Sequence, residues 1–102
     1  MTTGKIASQA SHAALNSFLA ASKEVQKEYQ GEENIGTKVC LHANVGKMVE
    51  AYNLATQAGL PCALITDSGS GSGFDTPTLT AVGIGPCTKT QVPFLKKFQL
   101  MK

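Results

Sequence analysis

Polar residues and small residues occupy different faces of a helix near the start of the chain. Lys5, Gln9, His12 and Asn16 recur at intervals of four, three and four residues, which places them on one face of a helix over about residues 5–21. Short side chains, which allow close packing against another element, fill the other face: Ala7, Ala10, Ala13 and Ala14. The pattern predicts a helix that packs through its small face and directs its polar face towards a site.

The middle of the chain contains three further patterned segments. Residues 22–34 are polar and predict a second short helix, or an extension of the first, that stops at Gly31. Residues 38–43 are β-prone and predict a strand. Residues 44–59 have apolar positions at helical spacing, with Asn44 as the N-cap and a Gly-Leu-Pro stop, so they predict a helix.

Strand patterns dominate the part that follows. Residues 62–66 form a nearly continuous apolar run, as expected for a strand covered on both faces. Residues 68–77, SGSGSGFDTP, predict a flexible loop, and residues 78–85 predict a third strand. Thr90 is placed to cap a final short helix.

These segments together predict an α/β fold class. A strand, a helix and a second strand with a short return predict a βαβ unit, in which the strands at 38–43 and 62–66 are parallel with a right-handed crossover. The third strand follows a loop and could run either way. We therefore expect a small mixed β-sheet with helices packed on both faces, in a single domain over residues 1–102.

Composition indicates a soluble protein. Apolar residues make up 42% of the chain and charged residues 16%, which is typical of a globular domain although low in charge. No apolar run reaches the roughly twenty residues that span a bilayer, and the N-terminus lacks a signal-peptide pattern. We expect a cytoplasmic protein without a membrane partner.

The net charge of +2 is too small to indicate nucleic-acid binding by itself, and no DNA partner is expected. All nine basic residues are lysines. The last fourteen residues contain four of them and no acid: Lys89, Lys96, Lys97 and Lys102. This basic segment is either an ordinary solvated end or a phosphate-binding segment.

Cysteine usage argues against a disulfide framework and against a zinc site. Cys40, Cys62 and Cys87 are odd in number and widely spaced, without a CxxC pair. Cys40 and His42 share one face of the predicted strand, but two ligands are too few for a metal centre. We expect neither a metal nor a cofactor.

Candidate chemistry lies at the start of the first helix and at the end of a strand. Asp67 ends the apolar strand, where it is equally well a site carboxylate or a turn former. His12 alone would more often be a packed residue than a catalyst. Its combination with Lys5 and Gln9 near a helix start, however, suits an anion or a developing oxyanion. The GSGSG run at 69–73 lacks a following helix and a Walker lysine, so it predicts a flexible loop rather than a nucleotide site.

Five ordered motifs give the chain a family resemblance. They are GKIASQASHAAL (4–15), KVCLHA (38–43), AGLPCALITDSG (58–69), TAVGIGP (80–86) and LKKFQLMK (95–102). Together they resemble the type 2, archaeal and eukaryotic, peptidyl-tRNA hydrolases, whose opening motif reads GKxAAQxSHA.

The resemblance implies hydrolysis of the ester between a peptide and the 3′ ribose of tRNA, without a metal, by a protein that is generally a homodimer. Carried over by position, the catalytic residues would be Lys5, His12 and Asp67, and the substrate-binding residues Gln9, Ser68 and Thr80. Asp67 would orient or deprotonate water, and Lys5 would balance charge on the carbonyl oxygen or contact a phosphate.

Two departures from the family pattern keep alternative interpretations open. The family has a β-strand before its GK motif, which this sequence lacks, and losing a strand exposes sheet edges. The family's Asp-Ala-Gly is followed by an Arg-Thr-Gln segment, where this chain has SGSGFDTP. The alternatives are a catalytically inactive relative that binds tRNA or a protein, and a truncated fragment.

Overall fold

Three α-helices and four β-strands form in the computed structural model, which describes residues 1–31, 36–67 and 77–101. The helices are α1 (Thr3–Ala20), α2 (Lys23–Gln30) and α3 (Val45–Gln57). The strands are β1 (Leu41–His42), β2 (Cys62–Asp67), β3 (Thr78–Ile84) and β4 (Gln99–Leu100). The predicted α/β class is confirmed. The predicted loop over 68–77 lies outside the described residues except for Pro77.

Each helix begins at a polar residue whose side chain accepts a backbone hydrogen bond. Thr2 accepts from the Lys5 amide at 3.2 Å, Ser22 caps α2, and the predicted cap Asn44 accepts from the Lys47 amide at 2.9 Å. Such caps satisfy amides that have no partner within the helix. Because Ser22 starts a new cap, α2 is a separate helix and not an extension of α1.

The strands pair as two antiparallel ladders. β1 pairs with β4, and β2 pairs with β3, with Cys62 opposite Ile84 and Asp67 opposite Thr78. The predicted βαβ unit is therefore not formed within one sheet of the described residues, because β1 and β2 belong to separate ladders. β1 is also shorter than the predicted strand at 38–43. Its partner, β4, comes from the C-terminal segment. The sequence did not predict this pairing, because an apolar pattern identifies a strand but not its neighbour.

Helices cover both faces of the β2–β3 pair. A Cβ on Gly83 would lie 2.2 Å from the Ala13 carbonyl oxygen, so α1 packs directly on that face. Thr56 of α3 contacts the Cys62 sulfur at 3.4 Å. Gly83 pairs with Ala63, the neighbour of Cys62. Since successive residues point to opposite faces of a strand, α1 and α3 lie on opposite sides.

Both α1 and α3 run antiparallel to β2, so both helices begin at the end of the β2–β3 pair where Asp67 lies. The Ser17 hydroxyl donates to the carbonyl oxygens of Gly85 and Pro61, which fixes the later half of α1 at the other end of the β2–β3 pair. Leu60 donates to the Ala55 carbonyl at 3.0 Å, so α3 also ends there. Among residues 1–31, 36–67 and 77–101, the buried apolar side chains are few: Ala13, Ala51, Ala55 and Ile65.

The C-terminal segment forms 3₁₀ turns instead of the predicted final helix. They span Lys89–Gln91 and Pro93–Leu95. The first is capped by Thr88, whose amide donates to the Gln91 side chain at 2.8 Å, and not by Thr90 as predicted. Among the described helices, none is long and apolar enough to cross a membrane.

Candidate active site

A lysine and an aspartate meet where α1 begins and β2 ends. Lys5 Nζ lies 2.6 Å from Asp67 Oδ2, in a pair that joins the first turn of α1 to the last residue of β2. Asp67 is only 8% exposed, whereas Lys5 is 29% exposed. A buried carboxylate is therefore reached by an ammonium group that also contacts solvent. This is a close, charge-assisted contact between two groups that were both predicted site residues.

A second polar pair lies one turn further along α1. Gln9 Nε2 donates to Thr80 Oγ1 at 2.8 Å, and the Thr80 hydroxyl donates to the Ile65 carbonyl oxygen at 3.2 Å. Gln9 and Thr80 are both buried. The β2–β3 register shifts between Ile65 and Thr66, so this chain of hydrogen bonds ties α1 to the irregular part of the ladder.

His12 does not join these pairs. Its side chain is exposed, and in the described part of the chain no hydrogen bond or ion pair reaches it. The buried positions of α1 are Gln9, Ala13 and Ser17, four residues apart. A row with this spacing turns by about 40° at each step, so it moves away from His12. Ser68, the remaining predicted site residue, lies outside the described residues.

The arrangement brings together groups that suit ester hydrolysis. A carboxylate can orient or deprotonate a water, and an ammonium can balance the negative charge that develops on a carbonyl oxygen. Lys5 and Asp67 supply both groups within one contact. No group of three or more His, Cys, Asp or Glu side chains that could hold a metal ion is found among the described residues.

The Ile65 carbonyl is a site component that the sequence does not reveal. It accepts the Thr80 hydroxyl because the ladder is irregular there, and no residue pattern marks that irregularity. Thr80 itself belongs to a motif quoted above, but its hydrogen-bond partners depend on how α1 lies across the strands.

The fold and the site define an α/β protein with a buried carboxylate–lysine pair at a strand end. Comparison with known families gives a more specific result: the family model for peptidyl-tRNA hydrolase PTH2 matches residues 1–101. The chain therefore belongs to the peptidyl-tRNA hydrolase PTH2 family.

Individual relatives agree with this assignment. The chain is 39% identical over 99 residues to a peptidyl-tRNA hydrolase of Methanococcus maripaludis, a match that covers 95% of this chain and 84% of the relative. It is 38% identical over 96 residues to a peptidyl-tRNA hydrolase of Sulfolobus acidocaldarius, covering 84% and 77%. The corresponding protein of Methanocaldococcus jannaschii is 33% identical, covering 84% and 76%.

Proposed function

We infer that this chain is a peptidyl-tRNA hydrolase that cleaves the ester between a peptide and the 3′ end of tRNA, releasing tRNA for reuse. The observation that carries the inference is the family match over residues 1–101. The Lys5–Asp67 contact supports it, because it supplies a carboxylate and an ammonium group where such a reaction needs them. No observation favours an inactive binding module.

The proposed mechanism assigns one role to each member of the pair. Asp67 holds or deprotonates the attacking water, since carboxylates accept protons and hydrogen bonds from water. Lys5 lies beside it and has the greater exposure, so its ammonium faces the substrate carbonyl oxygen or an adjacent phosphate. Lys5 then stabilises negative charge that is larger in the transition state than in the bound ester.

Gln9 and Thr80 are proposed to hold the substrate and to position the pair. The Gln9–Thr80 hydrogen bond lies one helical turn from Lys5 and, through the Ile65 carbonyl, two residues from Asp67 in β2. This hydrogen bond uses the side-chain NH₂ group of Gln9. The side-chain oxygen of Gln9 can accept a further hydrogen bond from the substrate. His12, on the exposed side of α1, is proposed to be a further catalytic residue. Ser68, which follows Asp67 in the sequence, is proposed to bind the substrate.

We further propose that the protein acts in the cytoplasm, as one domain over residues 1–102, without a metal and with neither DNA nor membrane as a partner.

Association as a homodimer is supported by large apolar side chains that are exposed on α1, among them Leu15 and Leu19 at 55% and 61% exposure. Sedimentation of the wild-type chain beside a Leu15→Ser/Leu19→Ser variant tests the dimer. A wild-type chain that stays monomeric at high concentration would contradict it.

The deciding experiment measures release of the N-blocked amino acid from an N-acetyl-aminoacyl-tRNA by the purified 102-residue chain. Asp67→Asn is assayed beside the wild-type chain, after circular dichroism has shown that both are folded. Release by the wild-type chain that is lost in the variant supports the enzyme and its carboxylate. A folded wild-type chain that binds tRNA without releasing the amino acid would instead indicate an inactive relative.

A further inference from the structure

Lysine side chains gather near the first half of α3 and the segment that leads into β4. Lys97 Nζ lies 2.9 Å from Glu50 Oε1, and Lys47 Nζ lies 3.8 Å from Glu50 Oε2. Lys96 directly precedes Lys97 and is exposed. We call Lys47, Lys96, Lys97 and Glu50 the basic surface. Three lysines and one glutamate leave it with an excess of two positive charges.

The ion pairs within this surface do not remove its capacity to bind another anion. All three charged partners are about half exposed, at 50% for Lys47, 46% for Glu50 and 47% for Lys97. Exposed pairs of this kind contribute little to stability, so their lysines can turn to a stronger anion at small cost. A hydrogen bond from Lys97, followed by the charges of Lys97 and Lys47, lowers the pKa of Glu50, so the charge excess is constant around neutral pH.

The basic surface lies towards the Asp67 end of the molecule. α3 ends beside Cys62 at the start of β2 and packs along both strands, so its first turns extend towards the end of β2. Thirteen helical residues and six strand residues both span about 20 Å, which brings the two elements to a similar level. β1 leads into α3 and pairs with β4, which holds the segment containing Lys96 and Lys97 near the same place.

The helix α2, at the opposite end of the molecule, has no such excess along its own length. α2 follows the end of α1, and Ser17 holds that part of α1 beside Pro61 and Gly85, away from Asp67. Two lysines and two glutamates balance each other along α2: Lys23, Lys27, Glu24 and Glu28. The Lys38 ammonium lies 5.4 Å from the centre of the Tyr29 ring in α2. It gives the described residues around α2 an excess of one positive charge, against two on the basic surface.

We propose that the basic surface binds the sugar-phosphate backbone of the tRNA next to its 3′ end. The proposal rests on the function inferred above, because an ester held at Lys5 and Asp67 necessarily has backbone phosphates a few ångströms further along the RNA. The RNA backbone that carries these phosphates therefore has to cross a surface next to the site. Lysines bind them as point charges, displace condensed counterions and so make the affinity depend on salt.

The test compares two double variants that each remove two exposed lysine charges. Lys47→Gln/Lys96→Gln alters the basic surface and keeps the Lys97–Glu50 contact, whereas Lys23→Gln/Lys27→Gln alters α2 and is the matched control. The affinity of each for deacylated tRNA is measured over a range of salt concentrations. In the basic-surface variant we expect the slope of log affinity against log salt to fall by about 2, roughly one for each lysine, and no change in the control.

Using deacylated tRNA separates this proposal from the proposed function. If the wild-type chain cleaves the ester but both double variants change the slope equally, the basic surface is refuted while the enzyme assignment stands. An unchanged tRNA affinity in the Lys47→Gln/Lys96→Gln variant would also refute the proposed tRNA contact. The lysines of the basic surface would then have another polyanion as their ligand, such as an acidic protein. A wild-type chain that neither binds tRNA nor cleaves the ester would overturn both proposals.

Discussion

Lys5, in the first turn of α1, holds its ammonium group 2.6 Å from the carboxylate of Asp67, the last residue of β2. The two groups differ in their environment, because Asp67 is 8% exposed and Lys5 is 29% exposed. The contact thus joins a group shielded from water to one that can reach a ligand. Activity and stability are both expected to depend on it, but in different ways for the two residues.

Replacing Asp67 with asparagine should remove most of the ester hydrolysis. An amide of the same shape cannot accept a proton from water, and general-base catalysis contributes about 10²- to 10⁴-fold. We therefore expect kcat for release from N-acetyl-aminoacyl-tRNA to fall by at least about 100-fold, with little change in tRNA affinity. Single-turnover release at saturating enzyme measures the effect, and turnover like that of the wild-type chain would exclude Asp67 as the base.

Lys5→Met should cost more stability than Asp67→Asn. Removing Lys5 withdraws the ammonium that faces a carboxylate shielded from water, which we expect to cost about 1–3 kcal/mol. Removing the charge of Asp67 leaves a lysine that can turn to solvent, so its cost should be smaller. Urea unfolding of both variants measures the difference. Equal costs would show that the carboxylate does not depend on Lys5 for its burial.

Thr80→Val should impair catalysis as well as stability. The valine removes the acceptor for Gln9 Nε2 and the donor to the Ile65 carbonyl, two residues from Asp67. Leaving buried polar groups without partners costs about 1–3 kcal/mol, and the strand end that carries Asp67 loses its link to α1. We expect kcat to fall more than KM rises, and Thr80→Ser to restore both values because it keeps the hydroxyl.

Ser17→Ala is the matched control for Thr80→Val. Ser17 also joins α1 to backbone carbonyls of the β2–β3 pair, but at the end remote from Asp67. It should lower the free energy of unfolding by a similar amount and leave kcat unchanged. If both variants reduced kcat in proportion to their loss of stability, Thr80 would have a structural role only.

Local patterns allowed the sequence to predict most of the helices and strands. The predicted helix at 44–59 and the strand at 62–66 match α3 and β2 within a residue or two, because a cap, a glycine stop and an apolar run mark them. Lys5 was predicted near a helix start and Asp67 at a strand end. The family resemblance predicted that both belong to one site. The structure brings the two side chains into contact, and their catalytic roles stay a prediction.

Other features depend on contacts between distant segments, which local patterns do not encode. The spacing of Lys5 and His12 places them on one face, but His12 lies about 10 Å further along the helix axis, and the buried row from Gln9 passes to Ala13 instead. The partner of β1 was also unpredictable, since β4 is only two residues long and has no strand pattern of its own.

Gly83→Ala should test how closely α1 packs on the strands that carry the site. A Cβ at this position would lie 2.2 Å from the oxygen and 2.7 Å from the carbon of the Ala13 carbonyl, and backbone atoms cannot move aside as a flexible side chain can. Overpacking of this kind costs about 3 kcal/mol, and α1 has to shift away from β3. Thermal or urea unfolding should show this loss.

Gly46→Ala provides the matched glycine substitution, since the nearest atom to its added Cβ is the Asn44 side-chain oxygen at an ordinary 3.5 Å. Gly46 lies in the first turn of α3, where alanine should stabilise the helix by up to about 1 kcal/mol. A displaced α1 would also move Lys5 relative to Asp67, so Gly83→Ala should lose activity at temperatures where it is still folded. Full activity in folded Gly83→Ala would mean that the Lys5–Asp67 contact tolerates a shift of the helix, and that catalysis does not depend on this close approach.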